Sequence, residues 1–527
     1  MAMAAFSLKE DYWENFELQP EDIEFLYNHL LETETPLTSE ELVKVLAAER
    51  IRKEKQALEQ ERSSGGDMYQ PGERYSTGQR VIFPALNWRK AQVVDVREGH
   101  NPDLGQFEVI KVAFENGENK EFAARLAEHK LNGPLEELEE DESLDLEAVL
   151  EYFGEELSAR LEGGLDENPD FVRIAGRWFP QALLVDINIG HLNLAEAVLD
   201  MDGGGPLPTA NLIEGIGMSS TANPRLLEFS MDLALQEDPR FDEVGSAGKV
   251  LWFLQRLEPE EVLEPPIYLR YSGLEYDRTR LTPEMLSLER ELDDELSPLD
   301  PVSPAEDQGD IRLIFPHWQA GTLPLASRVR KIFPTAYEAP RILFTLVDGD
   351  TGERMPAWVV RAKRYVYGLK EWYQKKNLIP GSILHLRKGE QPGEVVIRAD
   401  TRRTTREWIR TVLVGSDGGT VFAMLKQPVS STYEERLALI VPDPGAVDEV
   451  WSHQNRDQTS FERVVFSMVR ELAKLTPQSH VHAAELYAAV NVIRRCPPGP
   501  LLALLASHPS FTHIGDLYFR LAEPEEE

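Results

Sequence analysis

Three segments of this chain end on variants of one phrase, and this internal repeat constrains the fold more than any other feature. The variants are NPDFVRIAGRWF (168–179), DPRFDEVGSAGKVLWF (238–253) and HPSFTHIGDLYF (508–519). Each has Pro, one residue, then Phe; Ile or Val follows after two more residues; a Gly turn and an aromatic pair close it. Such spacing predicts a short strand, a tight turn and a return strand, with Phe, Ile/Val and the last aromatic on the buried face. Helices are predicted ahead of the second copy (190–199, PLPTANLIEGIGM and 224–236) and of the third (461–475, 479–490 and 501–507). The first copy has one obvious helix before it, 144–161, and carries Ala175 before its Gly. Its other helices are expected within residues 20–61. There Ile23, Leu26, Leu30 and Leu31 share one helical face, and Thr38 or Ser39 caps a second helix with Glu41 close behind. This pair is compatible with a helix-turn-helix and equally with the start of many helical domains.

Residues 69–132 change period. RVIFPAL, RKAQVVDVREG, QFEVIKVAFENG and NKEFAARL are four short β-rich runs separated by Gly or Asn-Gly turns. Strands so closely spaced suit a small barrel, and the stretch resembles the SH3, Tudor or KOW modules of transcription-associated proteins. Three helices and a hairpin make a winged helix. Residues 187–257 and 460–521 resemble the HARE-type winged helix, which also occurs in the acidic delta subunit of bacterial RNA polymerase. The resemblance rests on Phe-x-x-Ile/Val-Gly and the aromatic return strand.

The chain carries 55 Lys plus Arg against 91 Asp plus Glu, a formal charge of −36. Spread evenly, that charge repels nucleic acid and membranes. It is not spread evenly: residues 311–426 sum to +10 and the remainder to −46. Acids concentrate in 134–170 and in 258–310, where LERELDDELSPLDPVSPAEDQGD reads as an exposed, mobile linker. The expected fold class is therefore α+β multidomain. Its parts are an N-terminal helical segment (1–64), an SH3/Tudor-like barrel (68–133), an acidic helix plus wing hairpin (134–185) and a winged helix (187–258). An acidic linker (259–309), a basic β-rich module (310–428) and a C-terminal winged helix (429–527) follow.

In the basic module, Arg361, Lys363 and Arg364 interleave with Trp358, Tyr365 and Tyr367; Lys375 and Lys376 follow, then Arg402, Arg403, Arg406 and Arg410. Arg402, Arg406 and Arg410 recur every four residues, the spacing of one helix face. These nine cations are the candidate nucleic-acid contacts, because each neutralised phosphate releases counterion. Two other readings stand beside contact: the basic face docks on the chain's own acidic segments, or it is simply a solvated surface. The stretch GLKEWYQKKNLIPGS, with Asn377, Leu378 and Gly381 in an N-x-L-x-x-G-like turn, resembles the pseudobarrel DNA-binding domain of plant transcription factors and of some restriction-enzyme effector domains. That resemblance implies DNA contact through loops and strand ends, without assigning it to particular residues.

Catalytic signals are weak. His480 and His482 have no third ligand at metal-site spacing and read as surface or capping residues. Gly215-Ile216-Gly217 lacks the preceding strand and third Gly of a dinucleotide fingerprint and reads as a helix-ending turn. The lone Cys496 excludes an internal disulfide and reads as a structural thiol. No catalytic residue, metal or cofactor is assigned. No apolar run reaches the roughly 20 residues that span a bilayer and no signal peptide is read, so a cytoplasmic location is expected. The expected function is non-enzymatic, DNA-binding or transcription-associated. In winged helices the third helix usually enters the major groove. Here 224–236 and 501–507 carry only Arg225, so these units are expected to bind protein, such as RNA polymerase, while the basic module meets DNA. The alternatives are an RNA-polymerase-associated scaffold without DNA contact and an accessory subunit of a defence system.

Overall fold

The computed structural model describes residues 12–63, 66–83, 86, 89–101, 105–114, 117–127, 129–132, 144–218, 222–302, 307–415, 419–457 and 459–522. The acidic run 134–143 and residues 303–306 of the expected linker lie outside these. Two compact units divide the chain: residues 1–185 with 221–229, and residues 186–220 with 230–527. The architecture is mixed α+β.

In the first unit, helices Pro20–Thr33 and Ser39–Ser63 precede a five-stranded sheet, and helix Leu146–Asp166 and a hairpin follow it. Thr38 and Glu41 form a reciprocal cap: Glu41 N donates to Thr38 Oγ1 (3.2 Å) and Thr38 N to Glu41 Oε2 (2.9 Å). The sheet runs in sequence order through Asp67–Met68, Arg80–Phe83, Arg89–Glu98, Glu108–Phe114 and Asn119–Ala124. Its core holds Tyr75, Val81, Phe83, Val93, Ile110, Val112 and Phe114. The hairpin Phe171–Ile174 with Arg177–Pro180 takes a third strand from far upstream, Leu37 lying opposite Trp178. Sequence therefore separates, by the whole five-stranded sheet, helices that share one small fold.

The second unit contains the other two copies, apart from residues 224–229. Helices Ile189–Met201, Thr209–Ile216 and Pro224–Glu237 lead to hairpin Phe241–Glu243/Trp252–Leu254; helices Phe461–Ala473, Ala483–Ile493 and Pro498–Ser507 lead to Phe511–Gly515/Tyr518–Leu521. The same upstream pairing recurs, Leu207 with Trp252 and Val481 with Phe519.

The three copies also correspond at one buried polar position. Trp178 Nε1 donates to Ser39 Oγ (3.1 Å), and Ser39 Oγ donates to Glu162 Oε1 (2.6 Å). Trp252 Nε1 donates to Thr209 Oγ1 (3.1 Å) and Asp232 Oδ1 (2.9 Å), and the Thr209 hydroxyl donates to Asp232. Counted from the paired strands and the hairpin Phe, the third copy has Ala483, Phe519 and Leu502 there. All three polar partners become apolar together, as expected when a half-satisfied buried network costs more than none. Thr209→Ala alone is expected to cost about 1–3 kcal/mol by removing the bridging hydroxyl. The concerted Thr209→Ala/Asp232→Leu/Trp252→Phe change is expected to cost less than the sum of its singles. Denaturant unfolding of the three singles, the triple variant and the unmodified chain checks this, and simple additivity would contradict it.

A seven-stranded, nearly closed sheet follows. Its order is Gln308–Arg312, Ile383–Lys388, Glu394–Ala399, Arg341–Asp348, Arg354–Val360, Tyr365–Tyr367 and Thr322–Pro324, antiparallel except where Arg341–Asp348 meets Glu394–Ala399. Alternate residues Ile342, Phe344 and Leu346 enter the core with Val359, Val366, Leu384, Leu386 and Trp372.

The acidic stretch before this sheet corrects the expectation of an exposed, mobile linker. Helix Pro283–Leu292 starts at a Thr282 cap with Pro at its first turn, and Met285 and Leu288 are buried. Val262, Leu269 and Leu281 are buried as well. Acid-rich composition masked an amphipathic helix, and its acids find partners. Asp293 accepts from the backbone N–H groups of Ser327 and Arg328 (3.0 Å each). Asp294 and Glu295 bind fully buried Arg495, at 2.7 and 2.6 Å.

Candidate nucleic-acid interface

Thr401–Val414 and Thr420–Ser431 form one long antiparallel ribbon. This corrects the helical reading of Arg402, Arg406 and Arg410. TRRTTREWIRTVLV is rich in Thr, Val and Ile, which favour strand, and residues four apart share a strand face as they share a helix face. One half of the ribbon is anchored. Val412 and Phe422, opposite each other, belong to the core that holds Val465, Met468 and Leu472. Ser382 and Ser431 hydrogen-bond at its base (2.9 Å). His385 lies between Asp310 (2.7 Å) and Asp400 (3.1 Å), tying the residue before the ribbon to the edge strand. Burial opposes charge on His385, but its hydrogen bonds to the two carboxylates outweigh that and raise its pKa.

Most of the nine candidate cations are occupied within the protein. Arg361 donates to the Ala339 carbonyl (2.7 Å) and Arg364 to that of Glu295 (3.2 Å). Lys375 pairs with Glu353. Lys376 is largely buried between Asp348 (3.1 Å) and Asp350 (2.7 Å). Arg402 pairs with Glu407 (2.7 Å) beneath the Tyr433 ring. Arg410 is buried against Glu485 (3.3 Å), and desolvation lowers its pKa. Charges from outside the +10 segment join in, as Arg341 meets Asp242 and Glu258, and Lys388 meets Asp307 (2.7 Å). Part of the basic face thus serves the chain's own acids. Among the described residues, the side chains of Lys363, Arg387, Arg403, Arg406 and Lys426 form no ion pair or hydrogen bond, and all five are exposed.

Three of these five sit on the ribbon around a residue that sequence reasoning passed over. Trp408 is 66% exposed. Lys426 stands directly opposite it, and Arg406, two residues before, faces Pro428 on the same side. Arg403 occupies the irregular stretch between Thr401 and Thr405. Among the described residues no hydrogen bond or ring contact engages the Trp408 indole. The alternation of REWIRTV with AMLKQPV held the signal: read with period two, Trp408 leaves the buried Ile409 side.

The other candidates have structural roles. His482 caps helix Ala483–Ile493 by accepting from Ala484 N (3.1 Å). Burial and the neighbouring Arg436 and Arg410 push its pKa down to about 4. Gly217 ends helix Thr209–Ile216 at φ 69°. Cys496 is buried, which pushes its thiol well up. Among the described residues no His, Cys, Asp and Glu group is disposed to hold a metal ion, and no helix is long and apolar enough to cross a membrane. Comparison with protein-family models, curated proteins and solved structures finds no match.

Proposed function

We propose that this chain is a modular, non-enzymatic DNA-binding protein that grips the phosphate backbone with the ribbon cations Arg403, Arg406 and Lys426. The observation that carries this reading is a set of exposed cations, unpartnered among the described residues, around a bare tryptophan, in a protein where most other basic side chains of the module are paired internally. A two-stranded ribbon fits the major groove, and local charge acts within a Debye length of about 8–10 Å despite the net charge of −36. The three helix-and-hairpin units are read as winged helices that contact protein, such as an RNA polymerase. Their third helices support this: Leu146–Asp166 carries only Arg160, which pairs with Glu156 and donates to the Phe16 carbonyl, and Pro498–Ser507 carries no cation.

Three phosphate contacts give a slope of about −3 in log affinity against log salt on duplex DNA. Anisotropy titrations of the full chain across a salt series measure it. Absence of binding to both duplex and single-stranded DNA at low salt sinks the DNA reading and leaves a protein-binding scaffold in its place.

A further inference from the structure

Building on the DNA-binding reading, we infer that the ribbon holds an unpaired DNA strand, with a base stacked on Trp408. Buried tryptophans serve this fold as core: Trp13, Trp178, Trp252, Trp358, Trp372 and Trp451 all lie in its interior. Among the described residues, Trp408 alone of the exposed large hydrophobic side chains is a tryptophan, at 66% exposure. Its surroundings suit an anionic strand. Lys426 is its cross-strand partner, and Arg406 is on the same face about 7 Å along the strand. Pro428 faces Arg406, and Met424 lies diagonal to Trp408, so the floor beside the ring is apolar. The adjacent acid, Glu407, falls on the opposite face, held by Arg402 and the Tyr433 hydroxyl.

Stacking is what separates the two forms of DNA here. In a duplex the base faces are covered by their neighbours, and the ribbon could reach only phosphates and groove edges. An unpaired strand offers a π-face to the indole while its phosphates meet Arg406 and Lys426, the combination of aromatic platform and cationic groove by which single strands are held. Of the third helices, Leu146–Asp166 carries only Arg160, Pro224–Glu237 only Arg225 and Pro498–Ser507 no cation, too few for duplex reading.

The test uses the full chain with fluorescent oligodeoxythymidylate and a duplex of equal length, titrated at the same low salt. Oligodeoxythymidylate is expected to bind about tenfold tighter than duplex. Trp408→Ala is expected to lose about that factor on the single strand and little on the duplex, while Trp408→Phe, which keeps a ring, retains most of it. An unchanged circular dichroism spectrum establishes that the variants fold, as the exposure of Trp408 leads one to expect. Equal affinity for the two forms, or equal losses in Trp408→Ala and Trp408→Phe, overturns the stacked-strand inference. If Arg406→Ala/Lys426→Ala then abolishes binding to both forms, the DNA reading stands without it. Binding to neither form by the unmodified chain overturns both.

Discussion

An Arg495→Ala chain is expected to lose about 3–5 kcal/mol of stability in its C-terminal helices, because two buried acids would be left without their cation. Arg495, Asp294 and Glu295 are all buried, and the network extends to Tyr487, which donates to Asp294, and to His317, 3.2 Å from Glu295. Burial favours the neutral form of Glu295, but Arg495 and His317 together hold its carboxyl far below the ordinary range. Asp294 moves the other way, its burial outweighing the same arginine. Asn491 completes the shell, accepting from Arg495 Nη1 (3.0 Å). These contacts fasten residues from the acidic stretch to helix Ala483–Ile493. Hydrogen exchange across that helix is the local measurement. Arg495→Ala should open it by orders of magnitude, and Arg495→Met with Asp294→Asn and Glu295→Gln should recover part of the protection. Unchanged protection in Arg495→Ala would contradict the role assigned to the network.

The second large effect is a loss of stability toward alkaline pH. Glu258 is buried beside Asp242 and Arg341. Desolvation, then hydrogen bonding and repulsion from Asp242, push its pKa up to about 9 against the pull of Arg341. Glu243 is pushed up to about 8 by burial and by Glu338, Asp232 and Asp242, with Arg361 opposing. A carboxyl whose pKa is raised on folding keeps a proton that the unfolded chain releases. Its contribution is therefore complete below about 4.5 and disappears as pH climbs through the folded value. Each of these groups should make stability fall by up to about 1.4 kcal/mol per pH unit, from about 4.5 to about 8 for Glu243 and to about 9 for Glu258. Glu243→Gln/Glu258→Gln removes both titrations, so its stability should depend less on pH, with the gain over the unmodified chain greatest at pH 8–9. Denaturant midpoints across pH measure this. Parallel profiles for the two chains would contradict it.

Sequence and structure agree best where periodicity was strong and local. The phrase ending at Phe179, Phe253 and Phe519 does mark three hairpins, and its first Phe and last aromatic are buried in each. Its Ile/Val, three residues after the Phe and so out of step with strand alternation, is buried at Ile174 and Val244 but exposed at Ile514, which corrects the expectation there. The polar trio Ser39, Glu162 and Trp178 was invisible, since its members are brought together only by folding around a five-stranded sheet. The acidic stretch misled because charge was weighed ahead of the Thr282–Pro283 cap and the spacing of Met285 and Leu288. The candidate interface was legible as a region, but not residue by residue. Counting cations located the basic module, yet charge counts cannot say which guanidinium meets a carbonyl, as Arg361 does, or a carboxylate, as Arg402 does. Only tertiary pairing leaves Lys363, Arg387, Arg403, Arg406 and Lys426 over among the described residues, and only the fold puts the last three together on the ribbon.

The central claim is that these leftover cations, rather than the basic module at large, contact DNA. Two full-length variants with the same charge change decide it in one salt titration: Arg403→Ala/Arg406→Ala/Lys426→Ala on the ribbon, and Arg361→Ala/Lys375→Ala/Lys376→Ala among the internally paired cations. The account expects the ribbon variant to lose nearly all of the salt slope of about 3, and the paired-cation variant to keep most of it. Equal slopes in the two variants, or a slope lost only with the paired cations, would contradict it.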